Sequence, residues 1–339
     1  MDPEGSVTVV NLQYGYGSLL KKGVTTVGFS AFDGEARQSL VDNGVILKKG
    51  AEPSVDLEPE YIAIDQSERF AYVALQEANA IAVLDLDSLE FKNIYGLGFK
   101  DFSRQGNELD LVKDGKINIV NQNVQGIYMP DGIALYESNG ETYLLTANEG
   151  DARDWPGYTN EKKIKIEGKT VTSYDTSKQD GLFQEGSTYI FGGRSFSIFN
   201  VKENGIFLSY DSGSDFERIT AQEFPAQFNC SNNNINMDDR SGKKGPEPES
   251  VTVGTVDDRT YAFIALERIG GIMVYDITDL AEVSYVSYIN TRDYSTGIAG
   301  DVAPEGLCFV NEKDSVTGKP LLIAANEVSG TVSVYSLDF

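Results

Sequence analysis

Apolar residues along this chain recur at every second position, in short runs parted by Gly, Asn, Asp and Ser. That period, with β-branched and aromatic enrichment, predicts half-buried strands joined by tight turns rather than helices. The runs come in threes, at 61–64, 70–75 and 80–86, at 251–253, 261–266 and 271–277, and at 306–310, 321–325 and 331–335. Another pair, 133–136 and 142–147, opens a group of the same kind. A further run follows in places, at 91–95, 206–210 and 283–288, as an outer fourth strand. Each group reads as an antiparallel meander.

The groups are copies of one pattern. Each opens on Pro followed by an acid and closes its second strand on Glu: Pro59-Glu60 to Glu77, Pro130-Asp131 to Glu149, Pro248-Glu249 to Glu267 and Pro304-Glu305 to Glu327. The acids of each pair are 17, 18, 18 and 22 positions apart, the last widened by a turn-like stretch at 311–319. Self-similarity at this period marks a radially repeated architecture. The expected fold class is therefore all-β, a β-propeller of four-stranded antiparallel blades, since a β-sandwich would leave the matching copies a coincidence. The prediction is a single domain, 1–339, with a partial blade at 6–32 and blades at about 57–100, 128–212, 247–291 and 303–337. Alanines recur in the second strands (Ala74, Ala147, Ala265, Ala325), which suits crowded packing near a propeller axis. Polar insertions at about 101–125, 151–186 and 228–245 interrupt the repeat. They are expected as functional loops or mobile excursions from the rim.

Strand one of a meander begins where strand two ends, so both acids of each copy are expected at one face. Carried around the repeat they form a ring of Glu60, Glu77, Asp131, Glu149, Glu249, Glu267, Glu305 and Glu327, with Asp151 close by. Converging carboxylates cannot all ionise unless a cation or Arg/Lys neutralises them. Two readings stay open. The acids bind a metal, with Asn79, Asn148 and Asn326 adding amide oxygens, or each clasps backbone N–H groups of its own turn. Arg153, Arg194, Arg240 and Arg268 are the candidate counter-charges. The densest polar cluster, Ala147 to Trp155, either offers Asp151 and Asp154 to a cation and Arg153 to an anion or is an ordinary salt-bridged turn. A second candidate is the Gly192-Gly-Arg-Ser turn with Asp211 to Glu217, an anion cradle without the strand-to-helix context of a phosphate loop.

Charge and composition narrow the chemistry. The chain carries 52 acidic against 28 basic residues, a net −24, which disfavours nucleic acid and anionic membranes as partners. It contains no His, excluding imidazole bases, Ser-His-Asp triads and the commonest zinc ligand. Any metal must then sit among oxygens, which points to calcium or magnesium; clustered carboxylates fit Ca²⁺, and no organic cofactor is expected. Cys230 and Cys308 are too few for a disulfide framework; they pair or stay free. Cys308, within an apolar run, is expected to be a buried thiol. No run approaches the ~20 apolar residues of a membrane span, and no signal peptide opens the chain. Asn229-Cys230-Ser231 is the glycosylation candidate.

Several longer stretches resemble the choice-of-anchor I domain family: Leu57-Glu-Pro-Glu-Tyr-Ile-Ala, Thr146-Ala-Asn-Glu-Gly-Asp-Ala-Arg-Asp, Phe191-Gly-Gly-Arg-Ser-Phe-Ser-Ile, Lys244-Gly-Pro-Glu-Pro-Glu, Ala265-Leu-Glu-Arg-Ile-Gly-Gly-Ile and Leu322-Ile-Ala-Ala-Asn-Glu-Val-Ser-Gly-Thr. That family includes mesenchyme-specific cell surface glycoproteins and proteins labelled alkaline phosphatase-like. The resemblance implies a secreted or surface-anchored propeller, seven-bladed in full-length members. This chain starts within what resembles the third blade, so the N-terminal blades of such a parent are expected to be lacking. Either an oligomer or partner completes the ring, or residues 6–12 close it beside 331–337. The expected function is an extracellular or cell-surface binding or matrix propeller, calcium-stabilised, recognising a protein, glycan or mineral surface. No catalytic residue is assigned on that reading. The alternative is a calcium-dependent phosphoesterase, with Glu149, Asp151, Arg153 and Asp154 around the metal and Arg194 clamping phosphate.

Overall fold

The computed structural model describes residues 3–14 and 23–338, and it is all-β. Four antiparallel sheets follow one another along the chain, each with its strands in sequential order. The first holds Ile62–Ile64, Phe70–Leu75, Ala80–Asp85 and Glu90–Gly96. The second holds Ile133–Ser138, Glu141–Ala147, Phe196–Lys202 and Gly205–Asp211. The third holds Pro248–Val256, Arg259–Leu266, Ile272–Asp276 and Ser284–Ile289, and the fourth Pro304–Val310, Leu321–Asn326 and Thr331–Ser336. Opening strands of successive sheets pack against one another, 62–64 on 133–138, 133–138 on 248–256, and 248–256 on 304–310.

The period-two pattern explains the stacking. In Arg259–Leu266, side chains Ala262, Ile264 and Leu266 join the second sheet's Leu145, Ala147 and Ile198. The intervening Tyr261, Phe263 and Ala265 face the other way, onto Leu307, Leu322 and Ala324 of the fourth sheet. One strand thus welds two neighbours, each fully buried Leu, Ile or Phe contributing about 1.5–3 kcal/mol. Between the first two sheets, Tyr72, Ala74 and Ile81 meet Ile133, Leu144 and Phe199. The far face of the first sheet (Ala71, Val73, Leu75) is covered by Val7, Val27, Phe29 and Leu40.

Two expectations are corrected here. Ser6–Val10 pairs with Val24–Gly28 rather than joining the last sheet. Thr331–Ser336 has Leu321–Asn326 as its strand partner among the described residues, and Val332 and Val334 beside that free edge are exposed. The insertions at 101–125 and 151–186, expected as functional loops or mobile excursions, pack into a second layer with cores of their own. One core holds Phe102, Leu109, Leu111, Val124, Val171 and Ile190; another holds Ile46, Ile127, Met129, Tyr174, Tyr189 and Phe191. Within this layer Tyr189–Phe191 pairs in parallel with Gln125–Ile127, and Glu161–Ile166 forms a hairpin with Lys169–Tyr174. Their apolar residues are spread over segments distant in sequence, which hides the period from a local reading.

Candidate functional site

Each sheet positions its acid by the same local device. Proline has no N–H to give the ladder, and the residues after it form a bulge. Glu60 N–H and Tyr61 C=O both bond Ala74, and Asp131 N–H and Gly132 C=O both bond Ala147. In the third sheet the register slips between Pro248 and Val251, in the fourth between Pro304 and Gly306. The acid after each proline is therefore the surplus residue of a bulge, turned out of the ladder. This also accounts for the recurring alanines, which lie opposite those bulges; Ala74, Ala147 and Ala265 are fully buried, whereas Ala325 is exposed.

Gly132 brings the second and third sheets together. Its N–H donates to the Glu249 carbonyl at 2.8 Å. A Cβ there would sit 2.7 Å from Ser250 Cα, so no larger residue fits. Asp131 and Glu249 consequently share a hydrogen bond between their carboxyl groups.

All of the predicted ring carboxylates meet at this face. Glu60 feels Glu77, Asp131, Glu149 and Asp151; Glu249 feels Glu149, Asp131 and Glu267; Glu305 is hydrogen-bonded to Glu327 and feels Asp131. Burial, reinforced by Glu149, Asp131 and Glu267, pushes Glu249 up to about 12. Burial likewise raises Glu149 to about 8, and Glu77 and Glu267 to about 7 each, against the pull of nearby cations. Glu60 in the first sheet and Glu305 and Glu327 in the fourth are exposed, so water screens both ends of the row. Oxygens of Asp131, Glu149 and Glu249 lie within 4.8 Å of one another, as do those of Glu149, Glu247 and Glu267. Oε2 of Glu77, a residue only 8% exposed, has no hydrogen-bond partner.

Two central residues escape the repeat pattern. Lys244 Nζ lies 2.5 Å from Glu149 Oε1, 3.2 Å from Glu247 Oε2 and 3.3 Å from Asp151 Oδ1. Glu247 is fully buried and bonded by Arg240 and Arg268 as well. Burial would raise its pKa, but Lys244, Arg240 and Arg268 outweigh that and hold it at about 2. The doubled Pro246-Glu-Pro-Glu249 was the available signal: only one of its acids can follow the repeat's proline, and the other is free for a different task.

Several expectations are overturned. Arg153, proposed as an anion clamp, is buried and bonds Asp56 at 2.9 and 3.1 Å, with further bonds to the Glu77 and Ile46 carbonyls. Arg194 is buried too, spent on Glu217 at 2.6 Å and on the carbonyls of Asp110, Ser241 and Lys243. The Gly192 turn does meet Asp211, yet Asp211 itself fills the cradle, accepting from Ser195 and Ser197 and pairing with buried Lys100 at 2.8 Å. Asp154 lies exposed on a small hairpin where Trp155 and Tyr158 stack, with no bond to the acid row. Asn79, Asn148 and Asn326 are buried strand clamps: Asn79 accepts from Met129 N–H, Asn148 donates to Ser197, and Asn326 donates to Ser333. Asn229 is fully buried and bonded to Ser241, so the folded chain does not present it for glycosylation. Both cysteines are free, and Cys308 is exposed rather than buried.

Comparison with known proteins adds context. Residues 1–280 match the family model of the choice-of-anchor I domain. Gigasin-3a of Magallana gigas is 30% identical over 177 residues, covering 47% of this chain and 62% of that protein. A mesenchyme-specific cell surface glycoprotein of Strongylocentrotus purpuratus is 27% identical over 272 residues, covering 65% of this chain and 35% of that one. The chain thus spans less than two thirds of either relative's length. Among solved structures, the major Malassezia sympodialis allergen Mala s 1 aligns with TM-score 0.40 and 11% identity, over 83% of this chain and 60% of that one.

Proposed function

This chain belongs to the choice-of-anchor I domain family, and from that premise we propose an extracellular or cell-surface binding propeller whose acid face takes up calcium. The cell-surface assignment draws on the family and on the relative named as a cell surface glycoprotein. No helix among the described residues is long and apolar enough to cross a membrane. The four stacked sheets, opening strands side by side, support an arc of propeller blades. The observation that carries the calcium reading is the convergence of Asp131, Glu149 and Glu249 oxygens, beside which buried Glu77 Oε2 has no hydrogen-bond partner. A buried acceptor without a donor costs about 1–3 kcal/mol, and a bound cation would relieve it. Asp131, Glu149 and Glu249 would supply oxygens of the hard type that Ca²⁺ prefers, and the ion would displace their protons. The phosphoesterase reading loses its clamp, because Arg153 and Arg194 are committed inside the protein.

Calcium titration into chelator-treated protein, followed by calorimetry and thermal melting, tests the proposal. Binding at a hundredfold excess over Kd should add about 2.7 kcal/mol of stability. Glu249→Gln should abolish both the heat and the shift. Absence of either signal in the unaltered protein would sink the reading.

A further inference from the structure

Beside the acid face, the second layer forms a pocket of the opposite sign. A cavity of about 210 Å³ is lined by Arg240, Lys243, Lys244 and Arg268, with Asp151 and Glu161. A second cavity of about 220 Å³ adjoins it through shared Lys243 and Thr172 and adds Lys113, Lys163 and Asp239. Six cations thus face three acids here, whereas the whole chain has 28 basic against 52 acidic residues. So local an inversion of the background charge implies a ligand that needs it.

The acids present are already engaged. Asp151 faces Lys244, Glu161 is paired with Lys163, and Asp239 with Lys113. Donors remain. Lys243 is exposed and makes no ion pair among the described residues, and Arg240 and then Lys163 press on its ammonium, lowering its pKa. Among the described residues Arg240 spends Nε and Nη2 on Glu247 and leaves Nη1 without an acceptor, and Arg268 spends Nε and Nη1 on Glu247 and Glu267 and leaves Nη2. The wall is also fixed in advance, since Thr172 N–H donates to the Gly242 carbonyl at 2.8 Å and docks the hairpin onto the Lys243 segment. Convergent guanidinium and ammonium donors match the several acceptor oxygens of a sulfate or phosphate.

We propose that this pocket binds an oxyanion group, sulfate or phosphate, through Lys243, Arg240 and Arg268, independently of calcium. The group comes either as the free ion or carried on a sulfated polysaccharide spanning both cavities.

The test uses the whole chain in chelator, so that its outcome is separate from that of the calcium titration. Thermal melts in sodium sulfate and sodium phosphate are compared with sodium chloride at equal ionic strength. The expected result is a saturable stabilisation beyond chloride, at least threefold weaker in affinity in Lys243→Gln and retained in Lys243→Arg. Among the described residues Lys243 has no side-chain partner, so its replacement leaves the fold intact. A second arm measures a sulfated polysaccharide and its desulfated form. Tighter binding of the sulfated chain, competed by free sulfate and weakened by Lys113→Gln, assigns the carried group; binding of the free ion without that gain assigns the ion. Sulfate behaving as chloride does, or Lys243→Gln without effect, overturns the proposal.

Discussion

Glu247 and Glu249 stand two residues apart, both buried, in opposite electrostatic worlds. Glu247 is surrounded by Lys244, Arg240 and Arg268 and held ionised, at about 2. Glu249 faces Glu149, Asp131 and Glu267 from the same depth and holds its proton up to about 12. Burial acts on both in the same direction, so partner charge alone separates them. The Glu247 half of the face is already neutral and structural. The Glu249 half is not, and it is where an added cation would gain most.

The largest break in that contrast comes from Glu247→Ala. It would strand three clustered cations and cost about 3–5 kcal/mol, read from urea denaturation. Arg153→Ala should cost a similar amount by leaving Asp56 buried without its partner. Such a loss, present without any ligand, identifies Arg153 as a structural strut.

Next in size is the pH dependence of the metal-free protein. Folded Glu77, Glu267, Glu149 and Glu249 hold protons that the unfolded chain releases near 4.5, so the native state binds more protons above that pH. Stability should therefore fall as pH rises from about 4.5 through 7 to 8, and further toward 12. Glu247 has the reverse sign: its contribution is present above 4.5 and lost as pH falls toward 2. Melts across pH should show an acid-side maximum, and calcium should flatten the alkaline limb. A curve rising steadily to pH 9 would refute this assignment of protons.

Gly132→Ala should cost about 1–3 kcal/mol by overpacking against Ser250. It should also weaken calcium binding by moving Asp131 from Glu249. Last comes Glu249→Gln without metal. It should stabilise the protein at pH 8, because Glu249 keeps in the fold a proton that the unfolded chain releases near 4.5, and the amide has none to release. Together with the lost calcium response, that gain would separate a binding residue from a strut.

The acid row was legible because it belongs to the repeat. Strand period and the Pro-acid start fix which end of each sheet the carboxylates share, and the sheets stack as the alternation requires. What surrounds the row was legible only in part: Arg240 and Arg268 stood out as counter-charges, and Lys244 did not. Lys244, Arg240 and the buried Arg153 come from insertions, whose packing rests on contacts such as Arg153 with Asp56, 97 positions away. Arg194 and Asp211 looked like separate halves of a ligand site because local sequence shows donors and acceptors but not which satisfies which. Cys308 misled for another reason: its run reads as continuously apolar, but it lies in a sheet with Leu307 turned inward and the alternate face open.

The bulges have a consequence for how such a surface changes over time. An acid that is supernumerary to the ladder takes no part in it, and the backbone bonds around it do not depend on its side chain. Its chemistry can be exchanged from one descendant to the next while the scaffold stays as it is. The mouth of the molecule is in this sense interchangeable by single substitutions, one sheet at a time.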